Sequence, residues 1–179
     1  VVSGSGNNFL VTANQIHGDG KIGLNLIDNG TIKNTLGQTL QGSGDFISPD
    51  NLYVGKSPRA LEISDLNNDG IKDLISANFS QDSISVLMGN SKGGFDQVVQ
   101  INVGDGPFSV VAADLNNDQK VDLVTANGNG NDIFLLIGNG DGTFRSGGAF
   151  PCGKGPVFLR ILDVNGDGNN DLVSSNYVS

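Results

Sequence analysis

Nine aspartates fall into three short stretches where oxygen-bearing side chains recur at one spacing. They are Asp65-Leu66-Asn67-Asn68-Asp69-Gly70-Ile71-Lys72-Asp73, Asp114-Leu115-Asn116-Asn117-Asp118-Gln119-Lys120-Val121-Asp122 and Asp163-Val164-Asn165-Gly166-Asp167-Gly168-Asn169-Asn170-Asp171. In each, the side chains at positions 1, 3, 5 and 9 can converge, and position 7 can offer its carbonyl. Hard oxygen donors, three of them carboxylates, suit Ca²⁺ rather than Zn²⁺ or a thiophilic metal. Mg²⁺ fits less well, since it demands tight octahedral geometry and keeps most of its waters. An EF-hand opens similarly but needs a bidentate Glu at position 12 and flanking helices. Here position 12 is Ser76, Thr125 or Ser174, with strand-like sequence around it, so that reading fails. The plainer alternative is a turn rich in Asx hydrogen bonds. Three copies in register, each keeping the distant fourth carboxylate, favour a cation, because clustered like charges repel one another.

These stretches must be held by repeating elements. Asp65 to Asp114 is 49 residues, and so is Asp114 to Asp163; a fixed period of this length marks an array of supersecondary units. After each Asp loop comes a short strand, Leu74–Asn78, Leu123–Asn127 or Leu172–Asn176. Next is an apolar run closed by Gly-Asn, Ile84–Met88 or Ile133–Ile137, too short for a helix and suited to a strand packed on both faces. Gly93-Gly94-Phe95 and Asp141-Gly142-Thr143-Phe144 open a more polar strand. A Gly-x-x-Pro turn then leads into Ser109–Ala113 or Phe158–Leu162 and the next loop. Four antiparallel strands per period describe an all-β chain of β-propeller blades. The expected organisation is a single array over 1–179: an enlarged, degenerate repeat (1–64), two full repeats (65–113, 114–162) and a partial one (163–179). That makes about three blades and part of a fourth.

In the first repeat, Leu10-Val11-Thr12-Ala13-Asn14 resembles Leu123–Asn127. Val1, Ser3, Ser5 and Phe9 then fall on the four ligand positions, so that loop has lost its carboxylates. The repeat is 15 residues longer than the others between Asn14 and Gly55, and the insertion is placed near 31–41, or alternatively before Ile22.

The acidity is mostly local: a net charge of −9 would fall to −3 with one divalent cation in each of the three loops, −9 + 3 × 2. The 10 Lys and Arg form no basic stripe, so nucleic acid is not an expected partner. No apolar run is long enough to span a membrane. Cys152 and His17 are the only residues of their kinds and lie in unrelated turns, which leaves no basis for a nucleophilic enzyme. Cys152 stands where Val54 and Val103 stand in other repeats, so it reads as a small core residue. Glu62, Val111 and Arg160 are equivalent positions on the expected innermost strands, placed to line a channel.

The period, the Asp loop and the Gly-Asn-x-x-Gly-x-Phe and Gly-x-x-Pro turns together resemble FG-GAP/VCBS repeats, the integrin α-subunit type of β-propeller. The resemblance implies Ca²⁺ in the hairpin between the first two strands of a blade. The ligands would be Asp65, Asn67, Asp69, Ile71 (carbonyl) and Asp73; Asp114, Asn116, Asp118, Lys120 (carbonyl) and Asp122; and Asp163, Asn165, Asp167, Asn169 (carbonyl) and Asp171. Gln119 departs from the pattern, which has Gly there, and makes the middle of three sites the expected weakest. The resemblance further implies an extracellular segment, secreted or on a cell surface, serving adhesion, recognition or assembly through a protein or glycan surface. A lectin-like module is the alternative, weakened by the absence of Trp and the presence of only two Tyr; a non-catalytic part of a secreted enzyme is a third reading. An arc of this few blades would expose sheet faces, so further blades, from a longer chain or neighbouring copies, are expected partners. Asn29-Gly30-Thr31 and Asn78-Phe79-Ser80 are glycosylation sequons.

Overall fold

The computed structural model describes residues 52–92 and 94–177, with the backbone of three short strands before them, β1 (Val2–Ser3), β2 (Leu10–Val11) and β3 (Lys21–Ile22). β1 pairs with β2, and β3 with β4 (Leu52–Tyr53). Two four-stranded antiparallel sheets follow. The first contains β5 (Pro58–Ser64), β6 (Asp73–Asn78), β7 (Ser83–Leu87) and β8 (Val99–Asn102), in that order. The second contains β9 (Pro107–Ala113), β10 (Asp122–Asn127), β11 (Asp132–Gly138) and β12 (Phe144–Pro151), again in order. β13 (Pro156–Leu162) and β14 (Asp171–Asn176) form a hairpin with the layout of the first half of such a sheet. Among the described residues the only helical element is a 3-10 turn, Phe79–Gln81, and the sheets do not close into a ring. These sheets are the expected blades.

β5 packs against β9 and β9 against β13, so the first strand of each unit faces its neighbour's first strand. Each begins at a proline, and each pairing shifts register near that end. Proline has no N–H to give a ladder and is tolerated at a strand's first residue. β6 and β10 are buried at every position, and their polar side chains are hydrogen-bonded inside the sheet, Ser76 donating to Asn78 and Thr125 to Asn127. Between the first two blades the core is Leu66, Ile75, Ile84, Val86, Val110, Leu123 and Leu136. Between the second and third it is Val124, Ala126 and Leu159, with Val111 and Leu172 against it. Burying each large aliphatic side chain contributes about 1.5–3 kcal/mol.

Some expectations shift. The polar strand expected to open at Gly93-Gly94-Phe95 starts at Val99, and Phe95 makes only an isolated bridge to Gly89. The reason is local: Asn90 Oδ1 accepts the N–H groups of Lys92 and Gly94 and holds a turn there. Asn78, the sequon residue, is fully buried, and its amide donates to Ser83 and Ser85. It is therefore no glycan acceptor in the folded chain. Cys152 is half-buried, and burial, then the Asp132 charge, pushes its thiol pKa up; this fits packing and not reactivity. The altered first loop, Asn29 and the 31–41 insertion lie outside the described residues.

Candidate metal centre

Each Asp loop joins the first strand of a blade to the second, between Ser64 and Asp73, Ala113 and Asp122, and Leu162 and Asp171. The three adopt one backbone. Position 4 is left-handed in all (Asn68 φ 58°, Asn117 φ 60°, Gly166 φ 78°), and so is position 6 (Gly70 φ 84°, Gln119 φ 65°, Gly168 φ 84°). Asn tolerates that region and Gly is free there, whereas Gln pays for it. The structure thus places Gln119 in the conformation that its deviation from the pattern makes costly.

The side chains at positions 1, 3 and 5 are gathered by one hydrogen-bond pattern. Asp65 accepts from the N–H groups of Asp69 (3.1 Å) and Gly70 (2.9 Å), Asn67 Oδ1 accepts the same Asp69 N–H, and Asp69 Oδ1 accepts from Ile71 N–H (2.7 Å). The second loop repeats this with Asp114, Asn116 and Asp118, and the third with Asp163, Asn165 and Asp167. The Gly168 N–H, foremost, holds the Asp163 carboxyl below its ordinary pKa, and the Asn169 N–H does the same for Asp167. Asn67 and Asn116 also turn their amide N–H groups onto the carboxylate at position 5. A partial positive charge therefore already faces that carboxylate.

Position 9 is built differently. Asp73 is fully buried, one oxygen accepting the Leu66 N–H (2.7 Å) and the other the Gly89 N–H beyond β7 (2.8 Å). Asp122 does the same with Leu115 (3.1 Å) and Gly138 (2.9 Å). Asp171 accepts only the Val164 N–H among these (2.9 Å). The fourth carboxylate therefore ties the loop to the third strand of its blade, a structural duty that spacing alone does not reveal. Gly138 is required for that approach, since a Cβ there would lie 2.1 Å from the Val121 carbonyl oxygen.

The structure thus brings positions 1, 3 and 5 together and anchors 9 at the base of the loop. Among the described residues no three acidic, His or Cys side chains close on one point. The donor set is all oxygen and carboxylate-rich, which fits a hard divalent cation and not a soft one. Neighbouring loops touch: Asn68 donates to the Gln119 carbonyl (3.4 Å) and Asn170 to that of Asp114 (3.2 Å).

At the opposite end of the strands lies a feature that sequence reasoning missed. Phe79 and Phe108 meet at 4.7 Å between ring centroids, and the Arg59 guanidinium stands 5.2 and 5.4 Å from them. A cleft of about 480 Å³ opens beside them toward Val157 and Tyr177. Superposing the repeats gives the signal, since Phe79, Gly128 and Tyr177 each follow the Asn that ends a second strand. Of the candidate channel residues, Glu62 is half-buried and Arg160 exposed. Burial raises the Glu62 carboxyl pKa against the opposing pull of Arg160, whose guanidinium lies 4.9 Å from the Phe158 ring.

The model of the FG-GAP-like repeat family matches the chain twice, over residues 65–125 and 114–174. No curated protein matches it. Both family matches begin at an Asp loop and end within the second strand of the following unit, Asp65 to Thr125 and Asp114 to Ser174, which is the periodicity of the blades. By period, blade architecture and family match, the chain belongs to the FG-GAP-like repeat family.

Proposed function

We propose that the chain is a non-catalytic propeller segment, stabilised by Ca²⁺ in its three Asp loops, that works outside the cell in recognition, adhesion or assembly. What carries the reading is the identity of the three loops: one backbone, one hydrogen-bond pattern and one oxygen-only donor set, repeated at a period of 49 residues. The side chains of Asp65, Asn67, Asp69 and Asp73, with the Ile71 carbonyl, would hold the ion in the first loop, and their equivalents would do so in the others. A bound Ca²⁺ would supply the positive charge that offsets three carboxylates in each hairpin. Position 9, already fixed to the blade, positions the loop; positions 1, 3 and 5 gather the remaining oxygens. Weak, multi-site binding of this kind suits the high Ca²⁺ levels outside cells. Extracellular placement and a surface partner, protein or glycan, are parts of the same proposal. Calcium titration of the full chain by calorimetry and backbone NMR tests it. Three binding events are expected, each moving the amides of one loop; unchanged loop amides at millimolar Ca²⁺ would sink the reading.

A further inference from the structure

The cleft at the end away from the Asp loops opens where the second and third blades meet. Phe108 and Gly128 come from the second blade, and Val157, Lys154 and Tyr177 from the third. One blade earlier, the chain's own Phe79 packs its ring on Phe108 under the Arg59 guanidinium. At the equivalent position of the next blade stands Gly128, which brings no ring. Phe108 leans on that glycine so closely that a Cβ there would lie 2.6 Å from its ring.

The two asparagine side chains at the rim are already engaged. Asn129 Nδ2 donates to Asp105 (3.0 Å), Asn131 Nδ2 donates to the Asn129 carbonyl (3.3 Å), and Asn131 Oδ1 accepts the Gly155 N–H (2.9 Å). A sugar needs a fan of free donors and acceptors around its hydroxyls and finds few here. An apolar ring needs only the aromatic and aliphatic lining, which this cleft has. Lys154 is the exception at the rim: it is exposed, and among the described residues no carboxylate pairs with it. Tyr177 stands beside it, 84% exposed.

We propose that this cleft receives an aromatic side chain of a partner polypeptide, with the Lys154 ammonium taking a carboxylate next to that side chain. The partner's ring does for this step what Phe79 does for the preceding one, and the exposed Tyr177 ring closes on it. Aromatic anchors in such pockets carry much of the energy of protein interfaces. The proposal deepens the recognition reading by naming the partner's chemistry, and it does not depend on metal in the loops.

The test is NMR titration of the ¹⁵N-labelled full chain with the capped dipeptide N-acetyl-Phe-Asp-amide. Shifts are expected at Gly128, Asn129, Gly155 and Tyr177, with millimolar affinity. Lys154→Glu should weaken binding about tenfold without lowering the thermal midpoint, because the side chain has no partner to lose. Lys56→Glu makes the same charge change at the equivalent position two blades earlier, outside the cleft, and should leave binding unchanged. The proposal is overturned if no shift appears by about 10 mM peptide, or if N-acetyl-Ala-Asp-amide does as well. It is equally overturned if Lys154→Glu binds as tightly as the parent, or if glucuronate moves these amides and the peptide does not. Calcium-induced shifts in the loop amides report separately on the metal, so either reading can fail alone.

Discussion

The second and third Asp loops share a motif, a backbone and an internal hydrogen-bond pattern, but not an environment. Asp122 is fully buried between two backbone N–H groups, the second of which comes from the end of β11. Asp171 is only half-buried and, among the described residues, accepts the Val164 N–H alone. The strands behind them diverge in the same way: Val124 is 2% exposed, while its equivalent Val173 is 45% exposed. The hairpin and its loop thus form from local sequence, and the outer strands of a blade supply the burial. Among the described residues the second loop is held from two sides and the third from one.

The largest effect that would sharpen this contrast is calcium removal. A ligand at about a hundred times its Kd stabilises by about 2.7 kcal/mol per site, so excess chelator should lower the unfolding midpoint by many degrees. Hydrogen exchange should show amide protection in β14 disappearing before that in β10. Coincident melting curves with and without chelator would end the calcium reading. Next in size is Asp122→Ala, which strips two charge-assisted bonds from a buried site and should cost about 3 kcal/mol or more in urea unfolding. Asp171→Ala should cost about 1 kcal/mol, and equal losses at the two positions would break the comparison.

Of the same size as the Asp171 loss, and opposite in sign, is the effect of Gln119→Gly. At φ 65°, relief of left-handed strain should raise stability by about 1 kcal/mol and Ca²⁺ affinity of the middle loop several-fold. If the middle loop of the parent chain fills first in a titration, the strain is not felt. The smallest effect concerns Glu62. Its folded-state pKa is raised, by burial first, so between the unfolded and folded values the native state holds more protons and stability falls as pH rises through that window. Glu62→Gln should flatten the fall in thermal midpoint as pH rises through that window. A profile unchanged by the substitution would show that the raised pKa has no weight.

The loops were legible because a 49-residue period and alternate oxygen-bearing side chains are properties of the chain itself. β7 and β11 were legible for a similar reason, as short apolar runs between turns. The clamp made by Asp73 and Asp122 was not, because Gly89 and Gly138 lie 16 residues onward and nothing in their type marks them as donors to a carboxylate. Nor was the aromatic cleft. Phe79 and Phe108 belong to different repeats and different strand ends, and only the packing of β5 on β9 brings them together. Local pattern encodes the hairpins; contacts between blades depend on columns of residues one period apart.

The burial of Asn78 bears on how this polypeptide matures. Its amide nitrogen is spent on Ser83 and Ser85 inside the sheet, so an attached oligosaccharide and a finished first blade exclude each other. In a eukaryotic secretory host, a transferase that reached the Asn78-Phe79-Ser80 sequon before β6 met β7 would trap the chain short of its native form. Sugar found at that residue would mark molecules that had failed quality control, and a bacterial host would avoid the race altogether.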